Sequence, residues 1–297
     1  MNKPDLEKLN LQAIDAAHAA GEIINSYRDS GNYVDVDVQY KAAGNSAASQ
    51  VVTEVDHKAQ AVILEFLQPG CIEFDLALVT EESPDDGLRQ EKEAFWCIDP
   101  MDGTLAFINK THGFSVSIAL VAKNGKPLIG VVYDPVKQDL YHAIDGSGAW
   151  KNNQLIHVPE LDPDRPLILH TDFSFETHPW FDKTSTGLQD ISRSLGLNGA
   201  DIKFKTGAAM NACNILQEPN SCYFKYPRKG NSGGSIWDFA ATACLFNEAG
   251  AIASDISGLP LELNRFGSTY VNHRGSLYAG QQKLADEIIE LYKKLRK

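Results

Sequence analysis

Hydrophobic residues along the first half of the chain follow two spacings, one helical and one strand-like. Over 5–29, and again after Asp56, apolar residues recur at helical spacing, which predicts two amphipathic helices. Short apolar runs, alternating or continuous and mostly bounded by turn residues, predict strands. The predicted strands are 33–40, 76–79, 95–98, 115–121, 127–133 and 139–144. Their close spacing, with Asn124-Gly125 as a hairpin turn, indicates an antiparallel meander.

The second half of the chain has more predicted helices and fewer predicted strands. The predicted helices are 181–197, 205–216, 236–249 and 284–295, and the predicted strands are 167–170 and 276–279. Pro159, Pro163 and Pro166 precede these elements, and such a cluster of prolines is typical of a connecting segment. We therefore predict two halves, 1–158 and 159–297.

One stretch of the first half combines a strand pattern with candidate chemistry. The apolar run Phe95–Ile98 is followed by Asp99, and a Pro- and Gly-containing turn then leads to a predicted helix over 104–108. Asp99 and Asp102 are three positions apart in this turn. Carboxylates bind hard cations such as Mg²⁺, and a helix N-terminus binds phosphate. The alternative for this stretch alone is an ordinary turn in which Asp102 caps the helix.

Composition limits the partners that this chain could have. The 297 residues are 43% hydrophobic and 22% charged, as expected of a globular protein, and the net charge is −12. This negative charge argues against binding to a nucleic-acid polymer, and an anionic substrate would require metal ions that invert the local field. No run approaches the roughly 20 apolar residues of a membrane span, and the N-terminus lacks the apolar core of a signal peptide, so we expect a cytoplasmic protein without a membrane partner. The five scattered cysteines form no C-x-x-C pair, which favours reduced thiols over disulfides or zinc.

Three motifs together resemble the inositol monophosphatase superfamily, which includes 3'(2'),5'-bisphosphate nucleotidases and fructose-1,6-bisphosphatases. They are Glu81-Glu82-Ser83, Asp99-Pro100-Met101-Asp102-Gly103-Thr104 and Trp237-Asp238-Phe239-Ala240-Ala241. Haloacid-dehalogenase phosphatases are a rival, but they carry the nucleophilic Asp two positions before the second Asp, where this chain has Pro100. The resemblance runs from about residue 6 to 295. It implies an α/β fold, an α+β layered sandwich of alternating helix and sheet layers with the site between the two halves.

The resemblance also implies a Mg²⁺-dependent phosphomonoesterase that uses two or three ions. By resemblance, the metal ligands are the carboxylates of Glu81, Asp99, Asp102 and Asp238 and the carbonyl of Met101. The implied catalytic residues are Asp56, Thr104 and Glu82. Asp56 and Thr104 would orient the attacking water, and Glu82 would lie near a third ion. The implied substrate-binding residues are Gly103, Thr104, Gly207, Ala208, Lys225 and Asp238. Asp56 and Asp238 could alternatively be helix caps only, and Ala208 stands where the family has Ser, so only a backbone contact is expected there.

Lys225 is the residue that bears on the substrate. Inositol monophosphatases carry an acidic residue at this place, which accepts hydrogen bonds from inositol hydroxyls, whereas the bisphosphate nucleotidases carry a basic residue. A cation favours a second anionic group, so we predict a 3'(2'),5'-bisphosphate nucleotidase-like activity. Inositol-1-monophosphatase activity, with Lys225 in solvent, is the first alternative, and a catalytically silent relative that binds phosphometabolites is the second.

Three further expectations accompany the resemblance. Relatives imply a homodimer and lithium sensitivity. The small residues over 41–50 predict either a flexible linker or a lid that brings Lys41 near the phosphate. The charged segment 85–93 is expected to be a solvated loop with a short helix, and His170, His178 and Trp180 are assigned no role.

Overall fold

The structure is a computed structural model that describes residues 1–29, 38–40, 51–205, 207–230 and 232–297. Its helices are α1 Lys3–Asp29, α2 Glu54–Phe74, α3 Thr104–Ile108, α4 Phe181–Leu195, α5 Ala208–Ile215, α6 Ile236–Ala249 and α7 Gln282–Leu295. Its strands are β1 Val38–Tyr40, β2 Val51–Thr53, β3 Ala77–Thr80, β4 Ala94–Asp102, β5 Ser115–Ala122, β6 Pro127–Asp134, β7 Asp139–Ile144, β8 Ala149–Lys151, β9 Gln154–Leu155, β10 Leu167–Thr171, β11 Ala200–Phe204, β12 Ser221–Lys225, β13 Ile252–Ser254 and β14 Ser276–Ala279. The predicted strand 33–40 is described only at 38–40, and the predicted lid with Lys41 lies outside the described residues.

Two large sheets form the framework of the fold. The first has seven strands in the order β3-β4-β5-β6-β7-β8-β9, and every pairing is antiparallel except that of β3 with β4. This is the meander that the spacing of the apolar runs predicted. The second has five strands in the order β11-β10-β12-β14-β13, with β10 parallel to both of its neighbours.

The alternation of side chains along the strands assigns each sheet face to a helical layer. Trp96 and Ile98 point to the core shared with α1 and α2, whereas Phe95 and Cys97 point to the core shared with α5 and α6. In the second sheet, Tyr223 faces α5 and α6, and its neighbours in β12 face α4 and α7. The layers therefore run helix, sheet, helix, sheet, helix, which confirms the predicted fold class.

The middle layer of helices belongs to the second half of the chain but packs against both sheets. Buried residues of α5 and α6 share one core with the first sheet and with Tyr223 and Tyr278 of the second. All strands of the seven-stranded sheet precede residue 158 and those of the five-stranded sheet follow it. The division at 158/159 stays a prediction, since the second half completes the core of the first.

Several local predictions differ from the structure. The segment 85–93 is not simply solvated, because Arg89 is 1% exposed and its guanidinium donates to Asn264 and Asp85. Six strands were not predicted, namely β2, β8, β9, β11, β12 and β13. The residues of β11 are only half-buried or exposed and carry no clear apolar signal. All five cysteines are free. Among the described helices, none is both long enough and apolar enough to cross a membrane.

Candidate active site

A β-bulge near the end of β4 brings two carboxylates to the same side of the first sheet. The sequence predicts that the strand ends before Asp99, but β4 continues to Asp102. Residues three apart in a regular strand point to opposite faces. Here Asp99 pairs with Ser117 and Asp102 with Ser115, so β4 holds one extra residue between the two pairs. The extra residue reverses the alternation, and both carboxylates therefore lie on one side.

Asp238 joins these two carboxylates from the first turn of α6. Suitable ligand oxygens of Asp99, Asp102 and Asp238 all lie within 4.8 Å of one another. The side chain of Asp238 also accepts a hydrogen bond from the backbone N–H of Ser235, which completes a capping box at the start of α6. Asp238 thus caps α6 and belongs to the carboxylate cluster at the same time.

Asp102 caps a helix, but not the one that follows it in sequence. Its Oδ1 accepts from the backbone N–H of Ala208 at 3.0 Å, and its Oδ2 accepts from that of Ala209 at 2.8 Å. These are N–H groups of the first turn of α5, which lack partners within the helix. The N-cap of α3 is Gly103, which makes no side-chain cap bond, so the simple prediction that Asp102 caps α3 is wrong.

Two glycines allow backbone segments to meet beside Asp102. Gly103 has φ 87° and Gly207 has φ 85°, values that side-chain-bearing residues rarely adopt. A Cβ atom on Gly207 would lie 1.9 Å from the carbonyl oxygen of Gly113 and 3.2 Å from Oδ2 of Asp102. A Cβ atom on Gly103 would lie 3.1 Å from the Cα of Gly207. The start of α5 can therefore approach β4 closely only with glycine at these positions.

The hydroxyl of Thr104 connects the turn after β4 with helix α2. Thr104 is buried, and its Oγ lies 3.3 Å from Oδ1 of Asp56 and 3.2 Å from the carbonyl oxygen of Met101, both of which are acceptors. Asp56 is fully buried in the first turn of α2. The position of Thr104 beside Asp56 agrees with the contact that the resemblance implies.

Glu81 and Glu82 follow β3 at the edge of the cluster, and both are half-buried. The backbone N–H of Glu81 donates to the carbonyl oxygen of Ile98, the residue before Asp99. Glu81 is not part of the group of carboxylates within 4.8 Å, although its charge acts on Asp99 and Asp238. The backbone N–H of Glu82 donates to the side chain of Gln60 at 3.3 Å.

The electrostatics of the carboxylate cluster favour a bound cation. Burial, followed by the charge of Asp238, raises the pKa of Asp102 to about 7. Burial, followed by the charge of Glu81, raises the pKa of Asp238 to about 6, and the same two causes raise the pKa of Asp99 well above its usual value. Three buried or half-buried carboxylates repel one another unless a proton or a metal ion neutralises them. An all-oxygen donor set of this kind fits Mg²⁺.

Lys225 lies at the end of β12, and its side chain is directed to the carboxylate cluster rather than to open solvent. Only 22% of its side chain is exposed, and Nζ lies 3.1 Å from Oδ2 of Asp172. Burial alone would lower the pKa of Lys225, but Tyr223 and the carboxylates of Asp172 and Asp238 outweigh burial and raise it. The side chain therefore stays positively charged, and this charge lowers the pKa of Asp102 and of Asp238.

Sequence reasoning missed two residues beside Lys225. Asp172 directly follows β10, and its pKa falls to about 2 because the charge of Lys225 outweighs burial. Arg228 donates from Nη2 to the hydroxyl of Ser174 at 3.2 Å. The position of Asp172 could have been a signal, since functional residues often follow the carboxyl ends of parallel strands. Nothing in the sequence pattern pairs Arg228 with Ser174.

Comparisons with known proteins extend over nearly the whole chain. A family model described as "Inositol monophosphatase family" matches residues 5–297. The Nus factor SuhB of Escherichia coli strain K12 is 31% identical over 247 residues, which cover 83% of this chain and 84% of that protein. The 3'(2'),5'-bisphosphate nucleotidase CysQ of Shigella flexneri is 31% identical over 256 residues, covering 84% and 92%. Among solved structures, extragenic suppressor protein suhB from Bartonella henselae matches with a TM-score of 0.73 at 24% identity, covering 95% of this chain and 97% of that one.

Proposed function

Because this chain belongs to the inositol monophosphatase family and is therefore a phosphatase, we propose that it is a Mg²⁺-dependent phosphomonoesterase most similar in activity to the 3'(2'),5'-bisphosphate nucleotidases. The family predicted from the three sequence motifs is confirmed by the match over residues 5–297. Metal dependence and substrate form the proposal. The observation that carries it is the cluster of Asp99, Asp102 and Asp238 with Lys225 beside it.

The proposed metal ligands form an acidic set around the end of β4. The carboxylates of Glu81, Asp99, Asp102 and Asp238 and the carbonyl of Met101 would hold two Mg²⁺ ions, and Glu82 would lie near a third. Bound Mg²⁺ would neutralise charge on the phosphate and lower the pKa of a water molecule. The high pKa values of Asp99 and Asp102 support this assignment, because a cation would relieve the repulsion among these groups.

The remaining residues would position the water and the phosphate. When Thr104 donates its proton to Asp56, its oxygen lone pairs are free to accept a hydrogen bond from the attacking water. The N–H groups of Gly103 and Thr104, together with Gly207, would line the place of the phosphate. The N–H of Ala208 already donates to Asp102, so its predicted contact with the substrate stays a prediction.

The nucleotide substrate is proposed from the buried cation. Lys225 keeps its positive charge next to the cluster, where a second anionic group of the substrate would bind. The relative CysQ is named as a 3'(2'),5'-bisphosphate nucleotidase. The ion pair with Asp172 favours the alternative, inositol-1-monophosphatase activity, because it already balances part of the charge of Lys225. A homodimer and lithium sensitivity remain predictions.

The test is phosphate release with and without Mg²⁺, with 3'-phosphoadenosine 5'-phosphate and inositol 1-phosphate compared side by side. We expect Mg²⁺-dependent release from both, with a higher kcat/KM for the nucleotide. A preference for inositol phosphate would overturn the nucleotidase proposal while leaving the metal site intact. Absence of Mg²⁺-dependent release from either substrate would favour a catalytically silent relative.

The variant Asp102→Asn tests the metal site itself. It keeps the shape of the side chain and one of the two bonds to α5 but removes a charge that the cation needs. We expect Mg²⁺-dependent release to fall by about 100-fold or more, as for loss of a major charge-stabilising group. Unchanged Mg²⁺-dependent activity in this variant would overturn the assignment of Asp102 as a ligand.

A further inference from the structure

One aromatic ring near the carboxylate cluster is exposed on a turn that is otherwise well fixed. Phe173 begins the 3-10 turn Phe173–Phe175 directly after β10 and Asp172, and 58% of its surface is exposed. Its ring stacks on that of Phe204, with centroids 5.8 Å apart and planes 19° apart. Phe204 covers one face of the ring, and the large exposed fraction leaves the opposite face open to a flat ligand.

The turn that carries Phe173 is held at both ends. Asp172 caps it by accepting from the backbone N–H of Ser174 at 2.9 Å. Phe175, at the other end, is 6% exposed and packs its ring against those of Phe181 and Tyr226. The exposure of Phe173 is therefore a property of a fixed turn, and ordering this ring on binding would cost little conformational entropy.

The neighbours of Phe173 place it at the rim of the candidate active site. Asp172 pairs with Lys225, and Ser174 accepts from Arg228, so two cations contact the residues on both sides of Phe173. Phe204 precedes Gly207 by three positions, a stretch that spans at most about 11 Å. The ring pair thus lies within reach of a substrate whose phosphate sits beside Asp102 and Gly207.

The chemistry of this rim suits a nucleotide better than a phosphorylated polyol. An open aromatic face binds the flat ring of a base by stacking, whereas the hydroxyl-bearing ring of a polyol has no π-face to offer. Adjacent cations suit the additional phosphate of the same molecule. We propose that Phe173 is a specificity-determining residue that stacks on the nucleobase of the substrate, an inference that rests on the proposed nucleotidase function.

The test compares Phe173→Ala, Phe173→Trp and the control Phe266→Ala. Phe266 is 85% exposed and lies on the loop that contacts Arg89, so its variant removes an exposed ring elsewhere. The measurements are kcat and KM for 3'-phosphoadenosine 5'-phosphate and inositol 1-phosphate. For Phe173→Ala we expect the nucleotide KM to rise by about 5- to 100-fold, the range that base stacking supplies. The KM for inositol phosphate should not change, Phe173→Trp should retain nucleotide affinity, and the control should match the wild type.

Two kinetic results would overturn the inference. Equal KM changes for the two substrates would show a general structural role of the ring. An unchanged nucleotide KM together with an altered sedimentation coefficient would assign the ring to a subunit interface.

If the wild-type protein hydrolyses inositol phosphate but not the nucleotide, the substrate proposal fails on its own. Calorimetric titration with adenosine 5'-monophosphate then tests the ring alone, and equal dissociation constants for the wild type and Phe173→Ala would exclude stacking.

Discussion

At Gly207 the backbone has φ 85°, and a methyl group on its Cα would lie 1.9 Å from the carbonyl oxygen of Gly113. We expect Gly207→Ala to displace the start of α5 from Asp102 and to lower the free energy of unfolding by about 2–4 kcal/mol, since overpacking and backbone strain add. Mg²⁺-dependent phosphate release should fall with it. Urea denaturation and a phosphate-release assay measure the two effects.

Gly196 provides the matched control. It has φ 71° at the end of α4, but a Cβ atom there would meet no atom within 4 Å. Gly196→Ala should therefore lower the free energy of unfolding only through backbone strain, by about 1–2 kcal/mol, without loss of activity. Similar losses in both variants would show that φ, and not the contact with Gly113, makes Gly207 necessary.

The positive charge of Lys225 is expected to matter for the second anionic group of the substrate. We expect Lys225→Met to lower kcat/KM for 3'-phosphoadenosine 5'-phosphate by about 10-fold or more, because a charged hydrogen bond to phosphate is lost, and to affect inositol 1-phosphate less. Asp172 would be left without its ion-pair partner, so the double variant Lys225→Met/Asp172→Asn should be measured as well. Lys229→Met, which removes an exposed cation nearby, is the control. Equal losses for both substrates would contradict this prediction.

At the scale of residues, the sequence identifies candidate groups but not the contacts that orient them. Asp99 and Asp102 stand out because they follow an apolar run, yet the bulge that turns both to one side depends on the register of β4 with β5. The bonds from α5 to Asp102 depend on how a distant helix docks. The burial of Lys225 likewise depends on Asp172, which is far from it in sequence.

At the scale of elements, Arg89 joins two loops. Arg89 lies in the segment that follows Glu81, and its guanidinium donates to a loop near the other end of the chain. The acceptors are Asn264 Oδ1, at 2.7 Å, and the carbonyl oxygens of Arg265 and Ser268. Arg89→Met would remove the bonds to Asp85 and to the carbonyl oxygen of Ser268, whereas Gln90 would still donate to Asn264 Oδ1. We expect the free energy of unfolding to fall by about 2–4 kcal/mol, because hydrogen bonds to a buried charged group are lost.

Urea denaturation measures this loss, and Arg193→Met is the control. Arg193 pairs with Asp190 on the surface, where its side chain is 76% exposed, so its replacement should have no measurable effect. Equal stability of Arg89→Met and wild type would show that water replaces the guanidinium at the two loops.

A strong apolar signal favours the prediction of an element but does not ensure it, since β12 is buried over most of its length and was not predicted. β5 and β6 are buried along almost their whole length, and the sequence predicts both. β11 is an edge strand with half-exposed side chains, and its pairing with β10 supplies the order that its sequence lacks. The burial of Arg89 could not be predicted either, because a charged residue in a charged segment gives no sign of burial.

At the scale of the whole molecule, the carboxylate cluster should make the metal-free protein sensitive to pH. The pKa values of Asp102 and Asp238 are raised to about 7 and about 6, so the folded state binds more protons than the unfolded state in the range above their ordinary values near 4. Stability from these groups is present at low pH and is lost as the pH rises through 6 to 7. In EDTA we expect the free energy of unfolding to fall by on the order of 2 kcal/mol between pH 5 and pH 8.

Urea denaturation at several pH values measures this slope, with Asp102→Asn as the control that removes one raised group and should flatten it. Mg²⁺ should stabilise the wild type more at pH 8 than at pH 5, because protons compete with the metal for the same oxygens. Asp172, whose pKa lies near 2, loses its contribution only in more acidic solution and does not mask this range. Burial lowers the pKa values of His142, His170 and His178, and these groups favour the folded state as the pH rises toward their ordinary value near 6.5, so the slope is compared between the wild type and Asp102→Asn. A wild-type stability that does not fall more steeply than that of Asp102→Asn would contradict the prediction.

The layered architecture could be predicted for the whole molecule, whereas the docking of its layers could not. Motif order and element pattern led to a fold class that the structure confirms. The same pattern placed α5 and α6 in a second half, although they pack against the sheet of the first. Side-chain periodicity shows that a helix has a buried face but does not show which sheet will cover it.

The position of α6 between the two sheets has a consequence for synthesis on the ribosome. The first sheet is complete by residue 155, yet the face that carries Phe95, Cys97 and Val121 is not fully covered until α5 and then α6 emerge. During that interval the nascent chain presents an apolar sheet face to the cell, which makes it prone to aggregate and a natural client for chaperones. The same delay keeps Asp238 away from Asp99 and Asp102, so the nascent chain acquires its complete acidic cluster only after most of its length has been translated.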